Sequence, residues 1–600
     1  MVETRFRWVF PTPVTLDPDF RAATERLGLS PRIAELLASR GVTGAGEVES
    51  FFAPPETGLH DPRLLPNVDL FAARIARARS DGERVMVFGD FDADGLTGLA
   101  ILVIALRRLG LSVEPYVPSR LDEGHGLSLA AIDAASGLGA TVIVTVDCGT
   151  TSVAEVAAAQ ARGIDVLVTD HHRVPAQLPA AVAIVNPQRA DSRYPDRRLA
   201  GSGVAFKLAQ MLLADMPGTG PAAADLADLA TIGSVADVAP ILGENRAIAR
   251  IGLERMRRAP RPGIAALLAR ARIEPATVDL ETVAFAIAPR LNAAGRVGEA
   301  MDAARLLLAE DPIEAAALAE ALEEANLTRR DQAKVAIEEA RQAVAAMPSS
   351  PHGEPGAIVV RGDWPVGIVG LVASRLVEDL GRPAVVGANL DGVVRASCRS
   401  DGSLDLGAAL EACDDLFTRY GGHAGAAGFE LPTASWDAFR TRFEILASRP
   451  HDVDRRPILR LDLALPAAAL DYALHRELGG LAPCGPGNPE PTVAILGLTV
   501  TRVRAASGGH AQITLRRVLD VIDGIAFDRA DLVESVKEGD RVDVVGRITS
   551  RRFGGLESLQ IDIRDVAPAG LHPEAARILA ANDVAAAGRV AVAVPAGNSA

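Results

Sequence analysis

The chain has 600 residues, a hydrophobic content of 48% and a formal net charge of −15 at pH 7. That length is too great for one hydrophobic core and predicts three or four globular domains. It contains no apolar run near the roughly 20 residues of a membrane span, no apolar signal-peptide core and no CxxC pair among its four cysteines, which together predict a cytoplasmic protein without disulfides or a zinc ribbon.

The first predicted element is a small helical region over residues 1–60, where apolar and polar patches mix. A catalytic domain is predicted for residues 61–311. Up to about residue 239, helix-like stretches alternate there with short β-rich runs, and the remainder is mainly helical. This alternation predicts a parallel sheet with helices on both faces, in which ligands bind outside the carboxyl ends of the strands.

Three predicted strands of this domain end in carboxylate or imidazole side chains, and a fourth segment contributes one more acid. The residues are Asp90, Asp92 and Asp94 after the first strand, Asp147 after the second, Asp170, His171 and His172 after the third, and Asp237 in a later stretch of small apolar residues. Carboxylates with imidazole suit Mn²⁺ or a similar divalent ion better than Ca²⁺. This set contains more ligands than one ion needs. The simplest interpretation is therefore a pair of ions bridged by a shared carboxylate.

Each of these residues also has a structural explanation. An aspartate at a strand end is often only the N-cap of the next helix, and Asp-His-His can be a turn whose side chains are satisfied locally. Two roles remain open for Asp90: it is either a metal ligand or a residue that orients a ligand. It is the coincidence of all the motifs at strand ends that favours a metal site.

A long linking helix is predicted within residues 312–350, because residues 312–346 are rich in Ala and Glu and contain no Gly or internal Pro. The Pro- and Gly-rich residues 347–356 mark the clearest domain boundary. A second α/β domain is predicted for residues 351–452. Its glycine-rich run, residues 421–428, can form either a tight helix entry or a phosphate cradle.

The last predicted domain, residues 453–567, contains five or six short β-rich runs, as in an OB fold. Between residues 455 and 566 there are 15 basic and 15 acidic residues, so this segment is neutral within an acidic chain. The net charge alone counts against nucleic-acid binding, but a metal site gathers carboxylates that bound cations offset. Residues 568–600 are expected to form a flexible tail.

These motifs resemble the DHH phosphoesterase superfamily, and within it the bacterial exonucleases that degrade single-stranded DNA from 5′ to 3′. The similar segments occur in order from about residue 64 to 566 and are residues 89–95, 146–149, 170–172, 199–205, 234–238, 290–296, 367–370, 421–423 and 481–491. The resemblance implies an α/β fold with a parallel-sheet DHH catalytic domain, a long linking helix, a second α/β DHH-associated domain and an all-β OB domain.

The resemblance also implies roles for individual residues. Two Mn²⁺ or Mg²⁺ ions would be bound by Asp90, Asp92, Asp94, Asp147, His171 and Asp237, with Asp147 as the bridge. His172 would contact the scissile phosphate or orient the water, and Asp170 would orient the histidine pair. DNA would be held by Arg120, Arg296, Ser397, Arg399, Gly422 and His423. Two residues depart from the family pattern, namely His125, where Tyr is usual, and Cys484, where Phe is usual.

The implied function is two-metal hydrolysis of single-stranded DNA to 5′-mononucleotides in repair and recombination, by a monomer that works with a helicase and a single-strand-binding protein. One alternative is a DHH phosphodiesterase for short oligonucleotides or cyclic dinucleotides, and the OB-like segment argues against it. Another is a non-catalytic single-strand-binding protein, and the retained metal-ligand residues argue against that. A pyrophosphatase is disfavoured by the length and domain content of the chain.

Overall fold

The computed structural model describes residues 2–120, 122–214, 223–346, 356–448, 456–466, 469–517, 520–553 and 556–574. The chain forms two compact units, one containing Pro54–Val453 with Gly485–Gly487, and the other containing Met1–Ala53, Asp454–Cys484 and the chain from Asn488 onward. In the described ranges, no helix has both the length and the apolar character that crossing a bilayer requires. All but the last residue of the predicted boundary at 347–356, and most of the predicted tail, lie outside the described residues.

The N-terminal segment contains a strand as well as the predicted helices. Its elements are β1 (Arg7–Val9), α1 (Pro18–Arg26), α2 (Pro31–Ser39) and α3 (Ala45–Phe52). The strand was not predicted, because it has only three residues and pairs in parallel with Ile458–Arg460, far away in the sequence. Asp565, which is fully buried, accepts hydrogen bonds from the backbone N–H of Phe6 and, at 2.9 Å, from the indole N–H of Trp8.

A five-stranded parallel sheet forms the centre of the Pro54–Val453 unit, which confirms the predicted fold class. In chain order its elements are α4 (Val68–Asp81), β2 (Arg84–Gly89), α5 (Ala93–Arg108), β3 (Ser112–Tyr116), α6 (Leu129–Gly137), β4 (Ala140–Val146), α7 (Val153–Ala161), β5 (Asp165–Thr169), β6 (Ala183–Val185) and α8 (Gly201–Leu213). The spatial order is β3-β2-β4-β5-β6, and every neighbouring pair is parallel.

The strands of this sheet are apolar on both faces, because successive side chains point to opposite sides and helices cover each side. On β2, Val85 and Val87 join one hydrophobic core, whereas Met86 and Phe88 join the core on the other side. The faces of the sheet are therefore filled. Polar side chains that act on a ligand must come from the strand ends and the loops that follow them.

A helical region follows and ends in the long linking helix. Its elements are α9 (Ala227–Ala236), α10 (Gly243–Arg258), α11 (Pro262–Arg270), α12 (Leu280–Thr282), a π-helical turn (Val283–Ile287), α13 (Ala288–Val297), α14 (Ala300–Leu308) and α15 (Pro312–Ala345). Helix α15 has 34 residues and is about 50 Å long at 1.5 Å per residue. Its N-cap Asp311 accepts the backbone N–H of Ile313, and Pro312 occupies the first turn, where its missing N–H has no cost.

The predicted second α/β domain contains a mixed five-stranded sheet. Its elements are β7 (Ile358–Gly362), α16 (Val369–Leu380), β8 (Ala384–Asn389), β9 (Val393–Arg399), α17 (Leu406–Glu411), β10 (Arg419–Gly422), β11 (Ala426–Pro432) and α18 (Trp436–Leu446). The strand order is β10-β11-β9-β8-β7. The glycine-rich run lies in the β10–β11 hairpin, where Gly421 pairs with Gly428, so the prediction of a possible helix entry was wrong.

The C-terminal region is an all-β barrel-like domain, as predicted. Its elements are β12 (Ile458–Arg460), β13 (Leu463–Leu465), α19 (Tyr472–Gly479), β14 (Val493–Ala506), β15 (His510–Arg517), β16 (Asp520–Ala526), α20 (Leu532–Ser535), β17 (Arg541–Phe553) and β18 (Leu556–Pro568). The order β13-β14-β15-β16-β18-β17 is closed by pairing of β14 with β17. This closure reduces the number of free sheet edges on which chains can aggregate.

Candidate active site

The predicted ligands come from the ends of three neighbouring strands and one helix. Asp90 directly follows β2, Asp147 follows β4, and residues 170–172 follow β5. Asp237 is the C-cap of α9. Because β2, β4 and β5 are adjacent and parallel, their carboxyl ends meet at one edge of the sheet, and the structure brings these side chains together there.

Two positions at this edge have an unusual backbone. Asp147 has a φ of 63°, and Val238, which follows Asp237, has a φ of 60°. Positive φ is uncommon for residues other than glycine and is a clear outlier for a β-branched residue such as valine. Strained backbone of this kind is concentrated at functional sites, and here it occurs at one predicted ligand and next to another.

The imidazole of His171 lies among three carboxylates. Its Nε2 atom is 3.0 Å from Asp147 Oδ1 and 3.9 Å from Asp94 Oδ2, and its Nδ1 atom is 3.8 Å from Asp237 Oδ2. Three acids from three different elements thus surround one imidazole. This arrangement is compatible with the predicted role of His171 as a metal ligand.

Three groups of side chains in the described residues have the geometry to hold an ion. The ligand atoms within each group lie within 4.8 Å of one another, and the groups are Asp147 with His171 and His172, Asp94 with His171 and Asp237, and Asp90 with Asp92 and Asp147. Asp147 and His171 each belong to two groups. A ligand shared between adjacent ions requires such overlap, which supports Asp147 as the bridge.

Burial and mutual repulsion raise the pKa of three of these carboxylates. For Asp147 the largest cause is burial, followed by the charges of Asp94 and Asp92. Burial is likewise the main cause for Asp92, followed by Asp90, and for Asp237, followed by Asp94. Negative charges this close together in a buried site need a compensating cation if all are to be ionised.

The donor atoms also fit a cation individually. Asp90 Oδ1, Asp147 Oδ1 and His171 Nε2 are buried and form no hydrogen bond of acceptable geometry, although the last two atoms lie only 3.0 Å apart. Buried polar atoms of folded proteins are nearly always hydrogen-bonded. A set of carboxylate oxygens with imidazole nitrogen suits Mn²⁺ or Mg²⁺. The residues present therefore fit the predicted divalent ions.

Backbone amides hold Asp92 and Asp94 in place. Asp92 caps helix α5 and accepts hydrogen bonds from the N–H of Asp94 at 3.0 Å and of Gly95 at 3.1 Å. Asp94 accepts the N–H of Gly201 at 2.6 Å and of Ser202 at 3.0 Å, at the start of α8. The positive end of each helix favours a carboxylate. The N-cap and ligand interpretations of Asp92 are therefore compatible.

Two glycines let the helices approach these carboxylates closely. A Cβ atom on Gly201 would lie 2.6 Å from Asp147 Oδ1. A Cβ atom on Gly233 would lie 2.2 Å from Ser202 Oγ and 2.4 Å from Asp94 Oδ1. The sequence indicates no such role for either glycine, because their neighbours come from distant parts of the chain.

Asp170 is a buried acceptor that fixes the histidine pair. Its Oδ1 atom accepts the backbone N–H of His171 at 2.7 Å and the ring Nδ1–H of His172 at 2.8 Å, and its Oδ2 atom accepts the N–H of Thr150 at 3.0 Å. Burial opposes ionisation, but the hydrogen bonds, above all that from His172, hold the pKa of Asp170 below its ordinary value. The same bond raises the pKa of His172 to about 9. Nδ1 is thereby occupied, and Nε2 is left for a substrate.

Replacing Asp170 by Asn should release His172. We expect the pKa of His172 to fall from about 9 towards its ordinary value of about 6.5, because the partner charge is lost, and turnover to fall about 10- to 100-fold. An NMR titration of the imidazole and a nuclease assay measure the two effects. Asp133→Asn, at an exposed surface pair with Arg162, should change neither. An unchanged pKa in Asp170→Asn would refute the orienting role.

Three predicted DNA contacts are half-buried arginines near the metal-ligand cluster. The guanidinium of Arg120 lies 4.7 Å from the ring centre of Phe91, and Arg296 Nη1 donates to the carbonyl of Gly367 at 2.7 Å. Burial and the charges of neighbouring arginines, Arg120 foremost and Arg399 among them, lower the pKa of Arg296 to about 9. These positive groups are close enough to repel one another, as in a site that binds an anion.

The three remaining predicted contacts differ in whether they lie beside the arginines. Ser397 lies on β9 with Arg399, and a Cβ atom on Gly370 would be 3.1 Å from Arg399 Nη2 and 3.5 Å from Ser397 Oγ. Gly422 and His423 are exposed in the β10–β11 hairpin. In the ranges that the structure covers, no hydrogen bond or ion pair connects the side chain of His423 with the arginines.

The two departures from the family pattern have different surroundings. The Nδ1 atom of His125 is 2.9 Å from Asp90 Oδ2, and its ring centre is 4.4 Å from that of Phe91. Cys484 is half-buried, with its Sγ atom 3.8 Å from the carbonyl of Leu481. His125 therefore contacts a predicted metal ligand.

Comparison with protein-family models finds three matches in order along the chain. The DHH family N-terminal domain matches residues 84–234. The DHHA1 domain matches residues 353–448, and the RecJ OB domain matches residues 461–565.

Individual proteins match over nearly the whole chain. The single-stranded-DNA-specific exonuclease RecJ of Bacillus subtilis (strain 168) is 34% identical over 574 residues, which cover 94% of this chain and 71% of that protein. The crystal structure of RecJ from Thermus thermophilus with Mn²⁺ has a TM-score of 0.78 and 32% identity, covering 94% of this chain and 80% of that one. The structure with Mg²⁺ has a TM-score of 0.73 and 31% identity, covering 94% and 78%.

Proposed function

Because the chain belongs to the RecJ family of single-stranded-DNA-specific exonucleases, we propose that it hydrolyses single-stranded DNA stepwise from the 5′ end to 5′-mononucleotides. It is a metal-dependent exonuclease for single-stranded DNA. The observation that carries the proposal is the cluster around His171, where carboxylates from three elements surround one imidazole and three buried ligand atoms form no hydrogen bond of acceptable geometry. Crystal structures of a relative with Mn²⁺ and with Mg²⁺ support the choice of ions.

The predicted ligand set would hold two divalent ions. The residues are Asp90, Asp92, Asp94, Asp147, His171 and Asp237, with Asp147 shared between the ions. When bound, such ions lower the pKa of a water molecule and neutralise charge that develops on the phosphate. The chain contributes fixed positions, because the amides at the starts of α5 and α8 hold Asp92 and Asp94 before any substrate arrives.

His172 acts on the substrate through Nε2. Asp170 occupies Nδ1 and raises the pKa of His172 to about 9, so the imidazole carries a proton on Nε2 near neutral pH. Its side chain is 49% exposed, which leaves room for a phosphate. We place a hydrogen bond from Nε2 to an oxygen of the scissile phosphate, where the positive ring also offsets negative charge.

The arginine group would hold the 5′ end of the strand. Arg120, Arg296 and Arg399, with Ser397, offer several N–H donors and one O–H donor for phosphate oxygens, and Arg suits phosphate because its guanidinium donates in a planar fork. Gly422 and His423 would contact the backbone of the strand from their hairpin. The OB domain supplies a further surface for single-stranded DNA through base stacking and backbone charge.

The proposal extends to the setting in which the enzyme works. We place it in the cytoplasm, in DNA repair and recombination, as a monomer that cooperates with a helicase and a single-strand-binding protein. The support is its family membership together with the buried cysteines Cys148, Cys398 and Cys413, which form no disulfide, as is usual in a reducing compartment.

An end-labelled digest tests the proposed direction. With Mn²⁺, a 5′ label should appear at once as a mononucleotide, whereas a 3′ label should remain on progressively shorter strands. The reverse order would contradict the 5′→3′ direction, and internal cuts would contradict exonuclease action. Faster hydrolysis of a dinucleotide than of a long strand would favour the alternative of a phosphodiesterase for short oligonucleotides.

A further inference from the structure

Helix α15 passes from one hydrophobic core of the Pro54–Val453 unit to another. In its first half, Ala315, Ala319 and Leu322 pack into a core on one face of the five-stranded parallel sheet. In its second half, Ala336 and Ala340 pack into the core of the DHH-associated region. These residues are spaced three or four apart, so they lie along one face of the helix.

Between the two cores this same face becomes polar. Asn326, Arg329 and Gln332 follow one another at three-residue spacing, and Asn326 is only 3% exposed. Arg329 Nη2 donates to Asn326 Oδ1 at 2.9 Å, but Arg329 Nε and Gln332 Oε1 are buried and have no hydrogen-bond partner. Unbonded buried polar atoms are costly. Because the rest of this helix face is apolar, the buried polar atoms of Arg329 and Gln332 indicate a functional role at this position.

Arg329 lies close to other arginines. Its charge is close enough to contribute, after burial and Arg120, to the lowered pKa of Arg296. Burial and the adjacent Arg330 lower the pKa of Arg329 itself, and no acid among the described residues raises it. In contrast, Arg290 pairs with Glu323 of the same helix. Half-buried guanidiniums that lack an acidic partner are stabilised when an anion binds.

We propose that Arg329, on the linking helix α15, is a phosphate-binding residue of the substrate site. It would bind the same single-stranded DNA as Arg120, Arg296 and Arg399. This inference rests on the proposed function and adds a residue to it. The unbonded Nε–H of Arg329 would donate to a phosphate oxygen, and Gln332 lies on the same helix face. Four guanidiniums exceed the single charge of one phosphodiester, and the larger charge of a terminal phosphate or of two successive phosphates, about −2 in either case, offsets more of it.

Arg329→Ala tests the assignment, with the exposed neighbour Arg330→Ala as the matched control. We expect Arg329→Ala to raise KM for a single-stranded oligonucleotide about tenfold or more, because a charged hydrogen bond is removed. The plot of log kcat/KM against log salt should become less steep by about 0.7 for each phosphate that the variant no longer binds. Arg330→Ala should match the wild type, and Arg329→Lys should recover part of the affinity, because it keeps the charge without the fork.

A structural role for Arg329 would produce a different pattern. It predicts a lower thermal unfolding midpoint in the free protein and no change in the salt dependence. We expect Arg329→Gln to keep or raise the midpoint, because repulsion with Arg296 is removed, and still to show the weakened salt dependence. Arg329→Gln also serves as the test variant if Arg329→Ala does not fold.

The outcomes separate this inference from the proposed function. If wild-type protein does not degrade single strands, the proposed function fails. If the wild type is active and Arg329→Ala retains its KM and salt dependence, or Arg330→Ala shows the same loss, only the assignment of Arg329 is overturned. A larger loss on 5′-phosphorylated than on 5′-hydroxyl strands would support a terminal phosphate, and an equal loss would support internal phosphates.

Discussion

Asp147→Asn is expected to lower the rate of single-strand hydrolysis by at least about a thousandfold, which corresponds to about 4 kcal/mol in the barrier. Asp147 belongs to two of the three ligand groups, and its Oδ1 atom is buried and forms no hydrogen bond of acceptable geometry. The neutral amide is a weaker ligand, so both ions would lose a shared negative charge. Nucleotide release from a labelled strand with Mn²⁺ measures the effect.

The same substitution should make the metal-free protein more stable at neutral pH. Burial, followed by the charges of Asp94 and Asp92, raises the pKa of Asp147. A carboxyl group with a raised folded-state pKa lowers stability as the pH rises above its unfolded value of about 3.9. Asn carries no such charge, so the thermal midpoint in EDTA should rise at pH 7, and the gain should shrink towards pH 4.

Asp81→Asn is the matched control, because this aspartate is exposed at the end of α4. It should change neither hydrolysis nor stability appreciably. Near-wild-type hydrolysis by Asp147→Asn would show that the bridging position does not lie at this residue. A lower midpoint in EDTA would show that Asp147 is not repelled by its neighbours.

Gly233→Ala is the second substitution for which we expect a large effect, even though alanine favours a helix over glycine by about 1 kcal/mol. The added Cβ atom would lie 2.2 Å from Ser202 Oγ and 2.4 Å from Asp94 Oδ1. Helix α9 must then move away from α8, or Asp94 must leave the amides that hold it. We expect the free energy of unfolding to fall by about 1–3 kcal/mol and turnover to fall about a hundredfold.

Gly137→Ala provides the comparison, because Gly137 ends helix α6 and no atom lies within 4 Å of the position of its Cβ. That variant should keep full activity and wild-type or slightly higher stability. Urea unfolding and a nuclease assay on both variants measure the contrast. If Gly233→Ala behaves like Gly137→Ala, close packing against Asp94 does not position the carboxylate.

The features of the fold and of the site that could be predicted are those with a local signal in the sequence. Strands β2, β4 and β5 are apolar runs that end in acids or histidines, and the rule that parallel strands place their carboxyl ends together was enough to gather Asp90, Asp147 and His171 into one site. The division of labour within the histidine pair was also an expectation, and the bond from His172 to Asp170 agrees with it.

The features that could not be predicted from the sequence depend on contacts between distant segments of the chain. Gly233 and Ser202 meet Asp94 only because α5, α8 and α9 pack together, and no spacing in the chain reveals this. No sequence signal distinguishes Arg329, because it occurs in a long charged helix, where an arginine is usually a solvated residue. The glycine-rich run has similar local chemistry in a hairpin and at a helix entry, so only the pairing of β10 with β11 decided its structure.

The most direct measurement is nucleotide release from a labelled single strand by protein stripped of metal with EDTA. The stripped wild type should release nothing, and Mn²⁺ should restore release from the single strand but not from a blunt duplex. Asp147→Asn treated in the same way should remain inactive after Mn²⁺ is added. Release by the stripped wild type, or equal release by both proteins with Mn²⁺, would contradict a metal-dependent hydrolytic site at this cluster.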